Sequence, residues 1–211
     1  ILQRGPDGRR MARPREFEEG VVLDAAMECF WNRGYEATSM RDLVDKTGIT
    51  GASLYNAFGD KRAIYQRALD RYVEGSVAAR LARCEELPPL EAIVAFFDDI
   101  VSRSVEDRSR KGCMLVNAAL DVAPHDDEFQ RIVAEVMTRI ELFFRDCVQK
   151  GQEQGAITST MSAEELGRHL LGVLLGVRVL ARVRPDRILL EGVVRPAIEL
   201  LDIGSSRHHR D

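Results

Sequence analysis

One block of this chain constrains its fold more than any other: Thr38–Lys61, which reads TSMRDLVDKTGITGASLYNAFGDK. Met40, Leu43, Val44 and Thr47 share one helical face over about 39–47. Thr38 or Ser39 can cap that helix, with Asp42 as a capping-box-like partner for Ser39. Gly48 breaks it and supplies a turn conformation without a Cβ penalty. Ile49 reads as a buried turn residue, and Thr50 as the cap of a helix over about 51–57, with Leu54 and Phe58 inward. Helices this short are marginal alone, so each must bury its face against a neighbour. Two short helices joined by a glycine turn make a helix-turn-helix. The second presents Gly51, Ala52, Ser53, Tyr55 and Asn56 outward. Small residues let a backbone approach the major groove, and an asparagine can pair bidentately with adenine.

The flanking sequence is helical too. Val22, Ala25, Ala26, Cys29 and Phe30 line one face of a helix over 16–33, which Gly34 ends in a left-handed cap. After Gly59-Asp60, a long helix runs from about Lys61 to Glu86, and Pro88-Pro89 separates it from the rest. Further helices are predicted over 90–107, 113–123, 126–151, 162–183 and 186–202. Strictly alternating β-branched runs are absent, so the chain is expected to be all-α. Hydrophobic residues at 45% are enough to bury a core.

Net charge is −4, which argues against polyanion binding by bulk charge. Location matters more. Residues 1–15 carry Arg4, Arg9, Arg10, Arg13 and Arg15 against Asp7, a basic arm. Arg13-Pro14-Arg15 suits either minor-groove insertion or a basic tail held by phosphate charge alone. Met11 offers a more natural start than Ile1, so residues 1–10 are expected to be an upstream extension. Four scattered cysteines without a CxxC argue against a disulfide framework or zinc site and favour a reducing cytoplasm. The most apolar stretch, 170–181, is too short to span a bilayer. No nucleophile–base pair, metal cluster or phosphate loop supports an enzyme, and no cofactor is expected. His125, Asp126 and Asp127 could suggest a metal site, but a helix N-cap cluster accounts for them better.

The block Thr38–Lys61, with Ala26, Phe30 and Gly34-Tyr35 before it, closely resembles the TetR family over about residues 13–70. The resemblance implies an N-terminal three-helix DNA-binding domain (16–62) behind the arm (1–15). A helical ligand-binding and dimerisation domain (63–205) and a tail (206–211) follow. It implies a regulator, expected to be a repressor released from a palindromic operator by a small-molecule inducer. By matched position, Thr38, Ser39, Thr50, Tyr55 and Lys61 would contact phosphates, and Ala52, Ser53 and Asn56 would read bases. Tyr55 could instead pack on the domain core. Gly51 departs from the common Lys or Arg of the family and loses a cationic contact.

Dimerisation with a twin subunit is expected through 162–202, where the helix over 162–183 is apolar nearly all round and Gly172 and Gly176 allow close approach. Phe96, Phe97, Ile100, Met114, Asn117, Met137 and Phe144 are candidates for lining the effector pocket. Lys111–Asn117 looks like one subgroup of such repressors. Cys113 follows Gly112 at a predicted helix start, near Arg108, Arg110 and Lys111. That suits a reactive thiolate and a redox- or electrophile-sensing switch; a small buried thiol is the other reading. Cys29, Cys84 and Cys147 read as core.

Overall fold

A computed structural model describes residues 18–158 and 160–202. The arm bearing Arg13 and Arg15 lies outside the described residues, as does the tail. The helices are α1 (Glu19–Arg33), α2 (Met40–Thr47), α3 (Gly51–Phe58), α4 (Lys61–Tyr72), α5 (Ala79–Glu85), α6 (Pro89–Glu106), α7 (Met114–Asp121), α8 (Asp127–Glu153), α9 (Ala163–Val183) and α10 (Arg187–Leu201). No strand occurs among the described residues.

Side-chain caps fix where helices begin. Ser39 and Asp42 form the reciprocal capping box of α2, and Thr50, Asp60, Ser162 and Asp186 accept backbone N–H bonds at the starts of α3, α4, α9 and α10. Pro89 opens α6 at a position whose N–H would be unpaired anyway. Asp126 caps α8 by accepting from Glu128 N (3.0 Å) and Phe129 N (3.2 Å), the N-cap role expected for the His125–Asp127 cluster. Gly34 ends α1 at φ +84° but with an extended ψ of 168°, so it turns the chain out sharply rather than in a left-handed cap.

The long helix expected from Lys61 to Glu86 follows an unbroken helical path, with one departure. Val73–Ala78 adopts a π-helix between α4 and α5. Gly75-Ser76, weak helix formers in mid-helix, sit inside it.

Helix α4 packs along α1 through Ile64, Tyr65, Ala68 and Leu69, facing Val22, Ala26 and Phe30. Leu43 of α2 and Leu54 of α3 are fully buried in the same core. Aromatic rings carry this core across to α8: Phe30 meets Tyr65 edge-on at 5.0 Å, and Tyr65 meets Phe129 at 5.3 Å. Farther along, α9 lies against α8 and α6 with Leu166, Leu170, Leu174 and Val177 inward. A Cβ added at Gly167 would stand 3.1 Å from the Arg145 backbone nitrogen, so this glycine sets the closest approach of α9 to α8. The opposite face of α9 and the start of α10 stay open: Val179, Val183 and Ile188 are exposed, Ile188 at 83%. Among the described residues, no helix is long and apolar enough to cross a membrane.

Candidate nucleic-acid interface

Helices α2 and α3 meet at Gly48, which takes φ +73°, a conformation that favours glycine. The Thr50 hydroxyl accepts from Ser53 N at 3.2 Å and donates to Ser53 Oγ at 3.0 Å, which fixes the first turn of α3. Leu54 and Phe58 anchor α3 to the core. The outer face is left with Gly51, Ala52, Tyr55 and Asn56 exposed and Ser53 half-buried. Tyr55 is 65% exposed, so it does not pack on the domain core.

Four polar residues flank this face. Ser39 is exposed at the start of α2, where its hydroxyl donates to Asp42 Oδ2 at 2.5 Å. Asp42 is held below the usual carboxylate range, first by the Ser39 hydroxyl, then by the Ser39 N–H and the Arg33 guanidinium. It therefore stays ionised and locks the cap. Lys61 lies over the Tyr35 ring at 4.3 Å, which orients its ammonium at the start of α4. Thr38 departs from expectation. It is fully buried, and its hydroxyl donates to the Gly34 carbonyl at 2.7 Å, so it clamps the α1–α2 turn and leaves no side-chain group for a phosphate.

The expected effector residues are brought together only in part. Phe96, Phe97, Phe143 and Phe144 form one ring cluster, with Phe97 stacked on Phe144 at 5.5 Å and Phe96 edge-on to it at 5.0 Å. Ile100 and Met114 are buried as well, and Met137 is half-buried. Close-packed rings of this kind are core. Asn117 is held by two bonds: its amide donates to the Lys111 carbonyl at 3.1 Å, and its carbonyl accepts from Arg182. Cys113 is the N-cap of α7 and 7% exposed; the Tyr72 hydroxyl donates to its sulfur at 3.4 Å. Burial raises the thiols of Cys29 and Cys84, and pushes Cys147 up to about 11.

Sequence reasoning missed the polar groups that join the N-terminal helices to the rest. Arg62 donates from Nε to Asp126 (2.7 Å) and from Nη2 to Glu128 (2.6 Å). The Lys111 ammonium pairs with Glu28 at 3.1 Å while lying over the Trp31 ring at 4.4 Å. The Trp31 indole N–H donates to the Gly112 carbonyl at 3.2 Å. Partners more than sixty residues apart leave no local pattern to read.

Comparison with known proteins accords with this geometry. Residues 22–68 match the family described as bacterial regulatory proteins, tetR family. Residues 89–196 match the tetracyclin repressor-like C-terminal domain. The chain is 31% identical over 194 residues to YezE, an uncharacterized HTH-type transcriptional regulator of Bacillus subtilis strain 168, covering 91% of this chain and 100% of that protein. It is 28% identical over 172 residues to the HTH-type transcriptional repressor ComR of Escherichia coli strain K12, covering 81% of this chain and 82% of ComR. A cysteine mutant of the TetR family transcriptional regulator CifR, solved with 26-base-pair double-strand operator DNA, superposes with a TM-score of 0.80 at 29% identity over 90% of this chain and all of that one. The chain therefore belongs to the TetR family and is a helix-turn-helix transcriptional regulator.

Proposed function

We propose that this regulator is a homodimeric repressor that leaves a palindromic operator when a small molecule binds among its C-terminal helices. The observation that carries the reading is the outer face of α3, where Tyr55 and Asn56 stand exposed on a helix anchored by Leu54 and Phe58. Rigid support beneath and polar groups above suit base-edge recognition. Ser39, Thr50, Tyr55 and Lys61 would hold phosphates, Ala52, Ser53 and Asn56 would face bases, and Arg13 and Arg15 would add charge from the arm. Two relatives, ComR and BdcR of Escherichia coli, are repressors, and CifR holds operator DNA. The open apolar faces of α9 and α10 support pairing of two chains through 162–202. A Cβ added at Gly172 or Gly176 meets nothing within one chain, which leaves that face flat.

Gel retardation on a fragment of the protein's own promoter tests the reading. Wild type should shift the fragment in a salt-sensitive way. Asn56→Ala should lose roughly tenfold or more in specific affinity while keeping its weak binding to unrelated DNA. A wild-type protein that retains no promoter fragment at low salt would end the proposal.

A second reading rests on the Tyr72 hydroxyl bonded to Cys113 Sγ. Hydrogen peroxide would oxidise the Cys113 thiol to a sulfenic acid, with water leaving, and the added oxygen would disturb α7. Peroxide should release wild type from DNA, and Cys113→Ser should stay bound at the same dose. Equal release of both proteins would remove Cys113 from the account.

A further inference from the structure

Arg178 lies on the inner side of α9 and is 9% exposed, yet it makes no hydrogen bond or ion pair among the described residues. A guanidinium carries five N–H donors and a fixed charge, and those of Arg178 meet no protein acceptor among the described residues. Arg178 borders a cleft of about 300 Å³ at the junction of the N-terminal helices with the rest. Arg80, 4% exposed, borders the same cleft. Its Nε donates to Asp99 at 2.6 Å, but Asp99 also pairs with Arg103 at 2.8 Å and lies 3.9 Å from Arg83. One carboxylate thus serves three guanidiniums, and Arg178 has none. Burial, and the charge of Arg178 beside it, draw Arg80 below the usual arginine range against the pull of Asp99.

The other charged groups of the cleft have partners of their own. Lys111 is taken by Glu28. The Asp107 carboxylate accepts from the backbone N–H groups of Ser109 (3.1 Å) and Lys111 (2.7 Å). Glu106 sits exposed, facing Arg103. Arg178 is left as the cleft cation without an acceptor among the described residues, with the aromatic residues Trp31 and Tyr72 on the walls.

We infer that this cleft binds a small aromatic carboxylate, with Arg178 and Arg80 gripping its oxygens and its ring resting against the edge-to-face pair of Trp31 and Tyr72, whose centroids are 4.9 Å apart. The guanidinium fork matches a planar carboxylate in two parallel bonds. The volume admits a molecule of benzoate size. The anion would act as the effector, a role that rests on the repressor reading above. Trp31 belongs to α1, Tyr72 ends α4, and Ser76, also on the wall, lies in the π-helix. A ligand there touches the helix that supports the DNA-binding unit and the one that leads out of it.

Trp31 is the only tryptophan of the chain, so its fluorescence reports the cleft directly. The full chain is titrated with benzoate and salicylate, with benzamide as the neutral counterpart, and with phosphate, all at matched ionic strength. Saturable change is expected with the carboxylates, with benzamide and phosphate at least tenfold weaker. Arg178→Gln should weaken benzoate binding by roughly tenfold to a hundredfold, and Arg178→Lys, which keeps charge but not the fork, by less. If Arg178→Gln does not fold by circular dichroism, Arg178→Lys and the wild-type preference for benzoate over benzamide decide. No saturable response, equal binding of benzamide, a preference for phosphate, or unchanged affinity in folded variants overturns the site. Operator retardation without anion runs in parallel. DNA binding without benzoate binding sinks this inference alone, and benzoate binding without DNA binding sinks the repressor reading alone. Benzoate that binds and leaves the operator complex intact removes the effector role.

Discussion

Gly48 and Gly51 lie three residues apart and differ in what the backbone asks of them. Gly48 holds φ +73° and resists substitution. At Gly51 a Cβ would meet only Val44 Cγ2 at 3.7 Å, an ordinary contact, so glycine is not required there. Gly51→Lys should therefore fold, place an ammonium at the start of α3, and bind DNA more tightly. It should also steepen the log–log salt dependence by about one. Retardation across a salt series checks this; an unchanged slope would mean that the start of α3 does not face phosphate. Residue-level reading of the sequence worked where spacing decides burial, as for Leu43, Leu54 and Phe58. It worked less well where geometry decides. Thr38 sits beside an exposed serine, and only the fold reveals its hydroxyl turned back on Gly34. Phe96, Phe97 and Phe144 have the spacing of an inward face, and that spacing is the same whether the face lines a cavity or fills it. Arg178 gave no signal at all, because it is one of three arginines in α9, and Arg168 and Arg182 lie on the surface.

Helix positions were largely legible, since capping residues and prolines mark ends locally: Ser39, Thr50 and Ser162 at starts, and Pro88-Pro89 between α5 and α6. The π-helix was not legible, because six residues are too few to separate its period from that of an α-helix. Helix–helix distance is set at single positions. Gly167→Ala would push a methyl group against the Arg145 backbone, which cannot move aside cheaply, and should destabilise the protein by about 1–3 kcal/mol. Gly20 makes a useful control: its Cβ would meet only the flexible Arg71 guanidinium at 3.6 Å, so Gly20→Ala should be neutral or stabilise by up to about 1 kcal/mol. Urea unfolding of both variants distinguishes close packing from a general intolerance of alanine. Similar losses in both would refute the packing argument.

Across the whole molecule, Arg62 joins α4 to the start of α8 through Asp126 and Glu128. Arg62, and then the backbone N–H groups of Phe129 and Glu128, hold the Asp126 carboxyl down to about 2 from 3.8. A depressed carboxylate stabilises the folded state fully above its unfolded value, and that stabilisation is lost as pH falls through the folded value. Urea midpoints should therefore decline from about pH 4 toward pH 2. Asp126→Asn keeps the helix cap but loses the charge, so it should start lower at neutral pH and show a shallower acid decline. Parallel acid limbs for the two proteins would show that the Arg62 pair contributes nothing.

The π-helix offsets the phase of the rod that leaves the DNA-binding unit. Each residue of an α-helix turns the chain by about 100°, and a π segment stows one surplus residue within its wider coil. The clock-face direction of Arg80 relative to Lys61 is thus set by how that surplus is held. A molecule seated beside Ser76 that tightened the coil would turn one half of the rod against the other, as a slipped gear tooth does, with every other helix left intact.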